Sequence, residues 1–243
     1  MADTEDKPTE ETAIVDEEAL GAIDDKTKEI EEDDAAAGGG GKSFIVYFNA
    51  LSRVVMAAFL IAAGTYAVPD VFLGTPNGNF QYCAIFFIVG TGLFLICTLI
   101  DLKSSIGSGC IAVMNSLLYV IGAAALEAGS IAFYPGIVDD VICNGGMCPI
   151  GQYLYIAATL VICFALLWDI ARLMRSGNVI PYPFIIALFS ALVGAINFNY
   201  GANFLMPQYL TTYDQVQKGG LFFIVGGCFF MIHALAVCKA YLL

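Results

Sequence analysis

The segment Gln81-Tyr-Cys-Ala-Ile-Phe-Phe-Ile-Val-Gly90-Thr-Gly-Leu-Phe-Leu-Ile-Cys-Thr-Leu-Ile100 is twenty residues long and contains no charged side chain. At about 1.5 Å of rise per residue, a helix of this length covers about 30 Å, the thickness of a bilayer's hydrocarbon core. Five other stretches read the same way: about 51–69, 110–134, 151–168, 182–206 and 220–241. Phe44 to Ala50, ahead of the first, reads as an interfacial lead-in. The whole chain agrees with this reading. Its 243 residues are 59% hydrophobic and only 13% charged, too apolar for an ordinary water-soluble domain.

The charge is confined to one end. Formal net charge is -12, and residues 1–41 hold fifteen of the 22 acidic side chains against Lys7, Lys26 and Lys28. From Lys42 onward acidic and basic residues cancel. Residues 1–41 are therefore an acidic tail, too poor in large apolar residues to offset the entropy of ordering, and are expected to be disordered. Residues 42–243 form the transmembrane domain. No signal-peptide pattern opens the chain, so the first span is expected to act as its own insertion signal. In the connections, Lys42, Arg53, Lys103, Arg172, Arg175 and Lys239 fall on one side and Lys218 on the other. Both termini are thus expected to face the cytoplasm. Arg53 and Asp169, near helix ends, can snorkel to the headgroups. Trp168 reads as an interfacial anchor.

The opening segment also has a counterpart. Gln81 to Gly90 aligns without gaps with Gln217-Lys-Gly-Gly-Leu-Phe-Phe-Ile-Val-Gly226, and identities continue at Phe94/Phe230, Ile96/Ile232 and Leu99/Leu235. The odd-numbered spans agree at their outer ends, where Gly64, Gly129 and Gly201 precede Pro69, Pro135 and Pro207 by five or six residues. The expected fold is an all-α membrane protein: six transmembrane helices in three repeated hairpins, about 42–102, 103–178 and 179–243. The middle copy diverges. It matches through Gln152-Tyr153 and through Leu167-Trp-Asp169 against Leu99-Ile-Asp101, with Val161 or Ile162 near the place of the glycine. Small residues let helix backbones approach in lipid, so Gly90 and Gly226 are expected at close contacts within or between hairpins. Either a pseudo-threefold or a stacked arrangement satisfies this pattern.

A span ending in small residues, a short Pro-bearing loop and then Leu/Phe-Phe-Ile-Val-Gly-(Thr/Gly)-x-x-Phe resembles the two-helix unit of YrhK-like membrane proteins. The likeness covers Phe86 to Phe94 and Leu221 to Phe230. It implies an integral membrane protein in three copies of that unit and supplies no catalytic residues.

Ionisable groups at bilayer depth are costly and so become functional candidates. Glu127 lies eight residues before Pro135, about 12 Å of helix from the outer boundary. It shares a face with Ser116, Ala123 and Ser130 that is expected to point into the bundle. Two residues before the recurring glycine stand Ala62, Glu127 and Asn199. His233, the sole histidine, lies about 8 Å deeper than Glu127. Glu127, Asn199 and His233 are the candidates for transport or proton handling; the competing reading makes Glu127 a hydrogen-bonded structural acid, His233 a packed neutral imidazole, and Asn197, Asn199 and Asn203 interhelical glue. Cys143 and Cys148 share a Gly-rich outer loop and form a candidate disulfide in an oxidising lumen. The other cysteines fall in or at the ends of spans.

No phosphate loop, zinc-protease helix, dinucleotide fingerprint or nucleophile elbow occurs, and one histidine excludes a bis-histidine haem site. The chain is not expected to be an enzyme or to hold a metal or cofactor. The acidic tail argues against nucleic acid. Two functions remain: a structural or interaction scaffold that shows its acidic tail to cytosolic protein partners, and a small-solute, ion or proton transporter or channel-like protein that uses Glu127. The bilayer is the partner common to both.

Overall fold

A computed structural model describes residues 44–68, 78–134, 149–175, 181–206 and 213–242. Six helices account for them: α1 (Phe44–Ala67), α2 (Gly78–Ser105), α3 (Cys110–Ala132), α4 (Pro149–Arg175), α5 (Tyr182–Phe204) and α6 (Tyr213–Leu242). No strand occurs among the described residues. Each helix is long and apolar enough to cross a membrane, with a mean hydropathy between 1.6 and 2.6 over its most apolar window. At most 39% of any such window is buried by the protein itself. The remainder, including Leu51, Leu99, Leu117, Leu160, Phe164 and Leu235, is apolar and exposed, which only lipid can solvate favourably. The chain is a multi-pass integral membrane protein.

The helices overrun the apolar stretches. Phe44 to Ala50 is the first two turns of α1, not a separate lead-in, and Ala50 is already buried there. In lipid, continuing a helix satisfies each backbone group, whereas stopping short would expose unpaired ones. Between α2 and α3 the chain reverses in four residues, Ile106 to Gly109. Gly107 and Gly109 both take φ of 97°, a left-handed conformation that side chains with a Cβ resist. The acidic tail, Cys143, Cys148 and the three prolines Pro69, Pro135 and Pro207 lie outside the described residues.

Each helix packs against the next, α2 on α3, α3 on α4, α4 on α5 and α5 on α6. Glycines set the remaining seams. A Cβ on Gly90 would meet Leu60 Cδ2 at 2.9 Å, so α2 lies on α1. A Cβ on Gly64 would meet the Ile224 backbone nitrogen at 2.7 Å, and one on Gly220 the Val68 nitrogen at 3.0 Å. These contacts bring α6 back to α1 and close a ring of six helices.

Within each hairpin the even-numbered helix presents a small residue at the same height. Gly90 faces Leu60, Ala158 lies with its carbonyl 3.3 Å from the Cβ position of Gly122, and Gly226 faces Gly194 and Phe198. Gly90, Ala158 and Gly226 stand 68 residues apart, so Ala158 occupies the place in α4 for which the sequence offered Val161 or Ile162. The contacts follow the Asp101/Asp169 spacing, not the Gln81/Gln152 one.

The same spacing places Phe87, Tyr155 and Phe223 together at the centre of the ring. Their ring centroids are 5.0, 5.6 and 6.1 Å apart, all in edge-on contact. Such pairs contribute about 0.5–1.5 kcal/mol each beyond the area they bury. Phe198 adds a fourth ring, 5.2 Å from Phe223. Small residues at the seams and large rings on the axis are two aspects of one arrangement: the backbones approach closely only where no side chain intervenes, and the rings fill the middle that remains.

Candidate functional site

Seven residues beyond this aromatic layer along α2, α4 and α6, about 10 Å by helical rise, stand Phe94, Ile162 and Phe230. They form the floor of a cavity of about 380 Å³. Its walls come from the first turns of α1 and α5 and the last turns of α2, α4 and α6, so it opens at the end of the bundle where exposed Ile45 and Ser104 line it. A smaller void below, lined by the same three residues with Thr91, Thr159 and Phe198, separates the floor from the aromatic layer.

The vestibule brings together four ionisable groups, Arg53, Asp101, Asp169 and His233. Arg53 of α1 is nearly buried, its side chain 12% exposed, and donates through Nη2 to Asp101 Oδ2 of α2. Its Nη1 stands 3.3 Å from His233 Nε2. His233 Nδ1 in turn is 2.9 Å from the carbonyl oxygen of Ala187. A guanidinium only donates and a carbonyl only accepts, so both contacts are satisfied by a neutral imidazole with its proton on Nδ1. Asn49 completes the group by donating from Nδ2 to Asp101 Oδ1 at 2.8 Å.

A second cluster repeats the pattern on α3 and α4. Asn115 Nδ2 donates to Asp169 Oδ1 at 2.7 Å, and the Tyr119 hydroxyl to Asp169 Oδ2 at 2.9 Å. The pairs Asn49/Asp101 and Asn115/Asp169 thus make one contact twice. At the third position α6 carries Val237. Arg53 and Asp169, expected to snorkel outward, both turn into the ring. The physical reason is that each finds fixed hydrogen-bonding partners there, which a side chain at the lipid face would lack.

The three residues expected to share a polar path do not meet. His233 is in the vestibule. Glu127 is half-buried at the seam between α2 and α3, where Thr91 Oγ1 donates to its Oε2 at 2.6 Å. It lines neither cavity. Ser130 Oγ lies 2.9 Å from Thr91 Oγ1, and Tyr155 OH lies 2.7 Å from Ser130 Oγ. Thr91 and Ser130 also reach the carbonyl oxygens of Phe87 and Leu126 at 2.8 and 2.9 Å, so a line of three hydroxyls, Tyr155, Ser130 and Thr91, leads from the bundle axis to this acid. The face shared by Ala123, Glu127 and Ser130 therefore turns to the neighbouring helix and not to an interior channel.

Asn199 makes the equivalent contact one hairpin later, donating from Nδ2 to Thr159 Oγ1 at 2.9 Å. Thr91 and Thr159 are 68 residues apart, and the third position is Gly227, whose Cβ would meet Ile61. Asn203 bonds back to Asn199 within its own helix. Asn197 likewise bonds to the Val193 carbonyl one turn earlier.

Sequence reasoning missed Asn49, Arg53, Asp101, Asn115 and Asp169 as site residues. The signal was present: Asn49 and Asn115 recur near the starts of two odd helices, and Asp101 and Asp169 at the ends of two even ones. What was hidden was direction, because nothing in a single apolar helix says which side of a polar residue near its end faces inward. No protein-family model, curated protein or solved structure matches the chain.

Proposed function

We propose that the six-helix ring is a small-solute carrier whose binding site is the vestibule at Arg53, Asp101, Asp169 and His233. The observation that carries this reading is a cavity of about 380 Å³ within the membrane-spanning bundle, lined at once by apolar walls and by four ionisable side chains with defined partners. That volume is in the range of small-molecule pockets, and such pockets combine apolar lining with a few fixed polar groups. A scaffold needs no such cavity, since burying charges inside a bundle costs stability that apolar packing would not. Intramembrane ionisable residues around a shared space are what a solute path requires.

In this reading the aromatic layer of Phe87, Tyr155 and Phe223 is the closed side and the vestibule the open one. By the excess of basic residues near that end, the opening faces the cytoplasm together with both termini. Glu127, outside the path, is a candidate proton site coupled to the axis through Thr91, Ser130 and Tyr155. The two-helix YrhK-like unit describes the hairpins from which the ring is assembled.

The test is solute binding and uptake by the full chain in lipid. The protein in nanodiscs is screened by thermal shift against monocarboxylates, sugars, alkylammonium ions and inorganic anions, and hits are followed as uptake into proteoliposomes. Val46→Trp, which places an indole in the vestibule wall, is expected to abolish both signals while the protein still purifies as a folded species. Absence of stabilisation by every class, with no uptake above empty vesicles, would overturn the carrier reading.

A further inference from the structure

The vestibule's chemistry also restricts what it can take, on the reading that it is a solute site. Its lining contains three formal charges: Arg53, Asp101 and Asp169. Arg53 is committed to Asp101 and to His233, which is neutral by its hydrogen bonds. Asp169 has no ion pair among the described residues; its oxygens accept only from the Asn115 amide and the Tyr119 hydroxyl. Both oxygens thus serve as acceptors, the arrangement of an ionised carboxylate. The cavity lining therefore carries one net negative charge, on Asp169, which makes no close salt bridge, although Arg172 one turn along α4 lies near enough to attract it.

Two amide acceptors at this end of the bundle are also unmet. Asn49 and Asn115 each donate from Nδ2 to one of the two aspartates, and their Oδ1 atoms are buried with no partner among the described residues. Asn115 is itself only 5% exposed. Buried acceptors without donors are costly and uncommon in folded proteins. Asn49 lines the cavity, and Asn115 is held directly against Asp169, which also lines it. The space thus offers amide oxygens in want of donors close to the Asp169 carboxylate.

The walls decide which kind of cation fits. Met56, Leu166 and Leu188 are apolar, and three phenyl rings, Phe94, Phe184 and Phe230, line the same cavity. A bare metal ion needs a shell of oxygen or other ligating atoms in place of its water. Among the described residues no three acidic, His or Cys side chains converge to supply one. An organic ammonium ion satisfies both halves: its N–H groups donate to carboxylate and amide oxygens, and its carbon body and charge lie against aromatic faces.

We infer that the vestibule selects a small primary or secondary alkylammonium ion, held by Asp169 and the orphan amide oxygen of Asn49 with its alkyl part against Phe94, Phe184 and Phe230. A quaternary ammonium has no N–H to give the amide oxygens and binds less well. A carboxylate of the same size is rejected by the net negative charge of the lining.

The experiment uses the full chain in nanodiscs and titrates n-butylammonium, tetramethylammonium, butyrate, 1-butanol and sodium, reading binding by calorimetry. Butylammonium is expected to bind at least about tenfold more tightly than the other four, since one unscreened charge contact in a half-buried site outweighs tenfold in affinity. Asp169→Asn keeps the shape and removes the charge, and should weaken butylammonium about tenfold or more. Because Asp169 also holds Asn115 and Tyr119, a second variant guards against misfolding. Ser104→Lys adds a cation at an exposed position on the cavity rim, and should weaken butylammonium while improving butyrate. Equal binding of butylammonium and 1-butanol, or tighter binding of butyrate by the parent protein, would overturn the inference. Binding of a sugar or inorganic anion with none of butylammonium would overturn it too, yet leave the carrier reading standing. No binding of any solute would bring down both.

Discussion

Replacing Gly64 by alanine tests the closure of the ring directly. A Cβ there would lie 2.7 Å from the Ile224 nitrogen and 3.0 Å from the Phe223 carbonyl carbon, both backbone atoms of α6. Neither can rotate away, so the added methyl must push α1 from α6. Forced overpacking of this kind costs about 1–3 kcal/mol, and occasionally more. Against it stands the better helix propensity of alanine, about 1 kcal/mol. A rigid backbone neighbour places the strain at the upper end, so Gly64→Ala is expected to lose about 2 kcal/mol net. Gly92→Ala is the matched control in α2. Its Cβ would meet nothing nearer than Glu127 Oε2 at 3.6 Å, an ordinary contact, so only the propensity gain remains. The two variants should differ in sign. Reversible unfolding in mixed micelles of dodecyl sulfate and a mild detergent measures both, with helicity as the signal. Stability of Gly64→Ala equal to or above that of the parent, with Gly92→Ala stabilised as expected, would mean that α1 does not lie against α6 and that the ring is open.

Three other perturbations have definite expected outcomes. Asp101→Ala should cost about 3 kcal/mol, because it strands an Arg53 guanidinium that is only 12% exposed, whereas Arg53→Met should cost about 1 kcal/mol, because Asp101 is 42% exposed and keeps the Asn49 donor; the same unfolding assay gives the order, and a larger loss for Arg53→Met would contradict the geometry. Tyr155→Phe removes only the hydroxyl that meets Ser130 and should cost about 1 kcal/mol, while Tyr155→Ala also empties the aromatic layer and should cost about 3–5 kcal/mol. Trp168, the only tryptophan, is 44% exposed on the outer surface beside Phe164, so its fluorescence in proteoliposomes should be quenched strongly by brominated lipid chains near the headgroups and weakly by aqueous iodide; the reverse pattern would place the end of α4 outside the bilayer.

Hydropathy along the chain was enough to locate the six spans, because the cost of leaving peptide groups unpaired in lipid makes length and apolarity nearly sufficient for a membrane helix. The small residues that would sit at seams were equally legible: Gly64, Gly90, Gly129, Gly201 and Gly226 all meet a neighbouring helix. Their partners were not. A helix that is apolar on every side has little contrast to say which face turns inward, so Arg53 and Asp169 could be read as reaching for headgroups and Glu127 as reaching for the axis. Only the closing of α6 onto α1 reverses both readings. It creates an interior at one end, where Asn49 and the two aspartates of different hairpins face a common space, and leaves Glu127 in a seam. Sequence thus determined how many helices cross the membrane and where their close contacts lie, since those depend on residues taken one at a time. Tertiary structure decided the 68-residue register, the aromatic layer and the vestibule, since each of these depends on several helices meeting at one height.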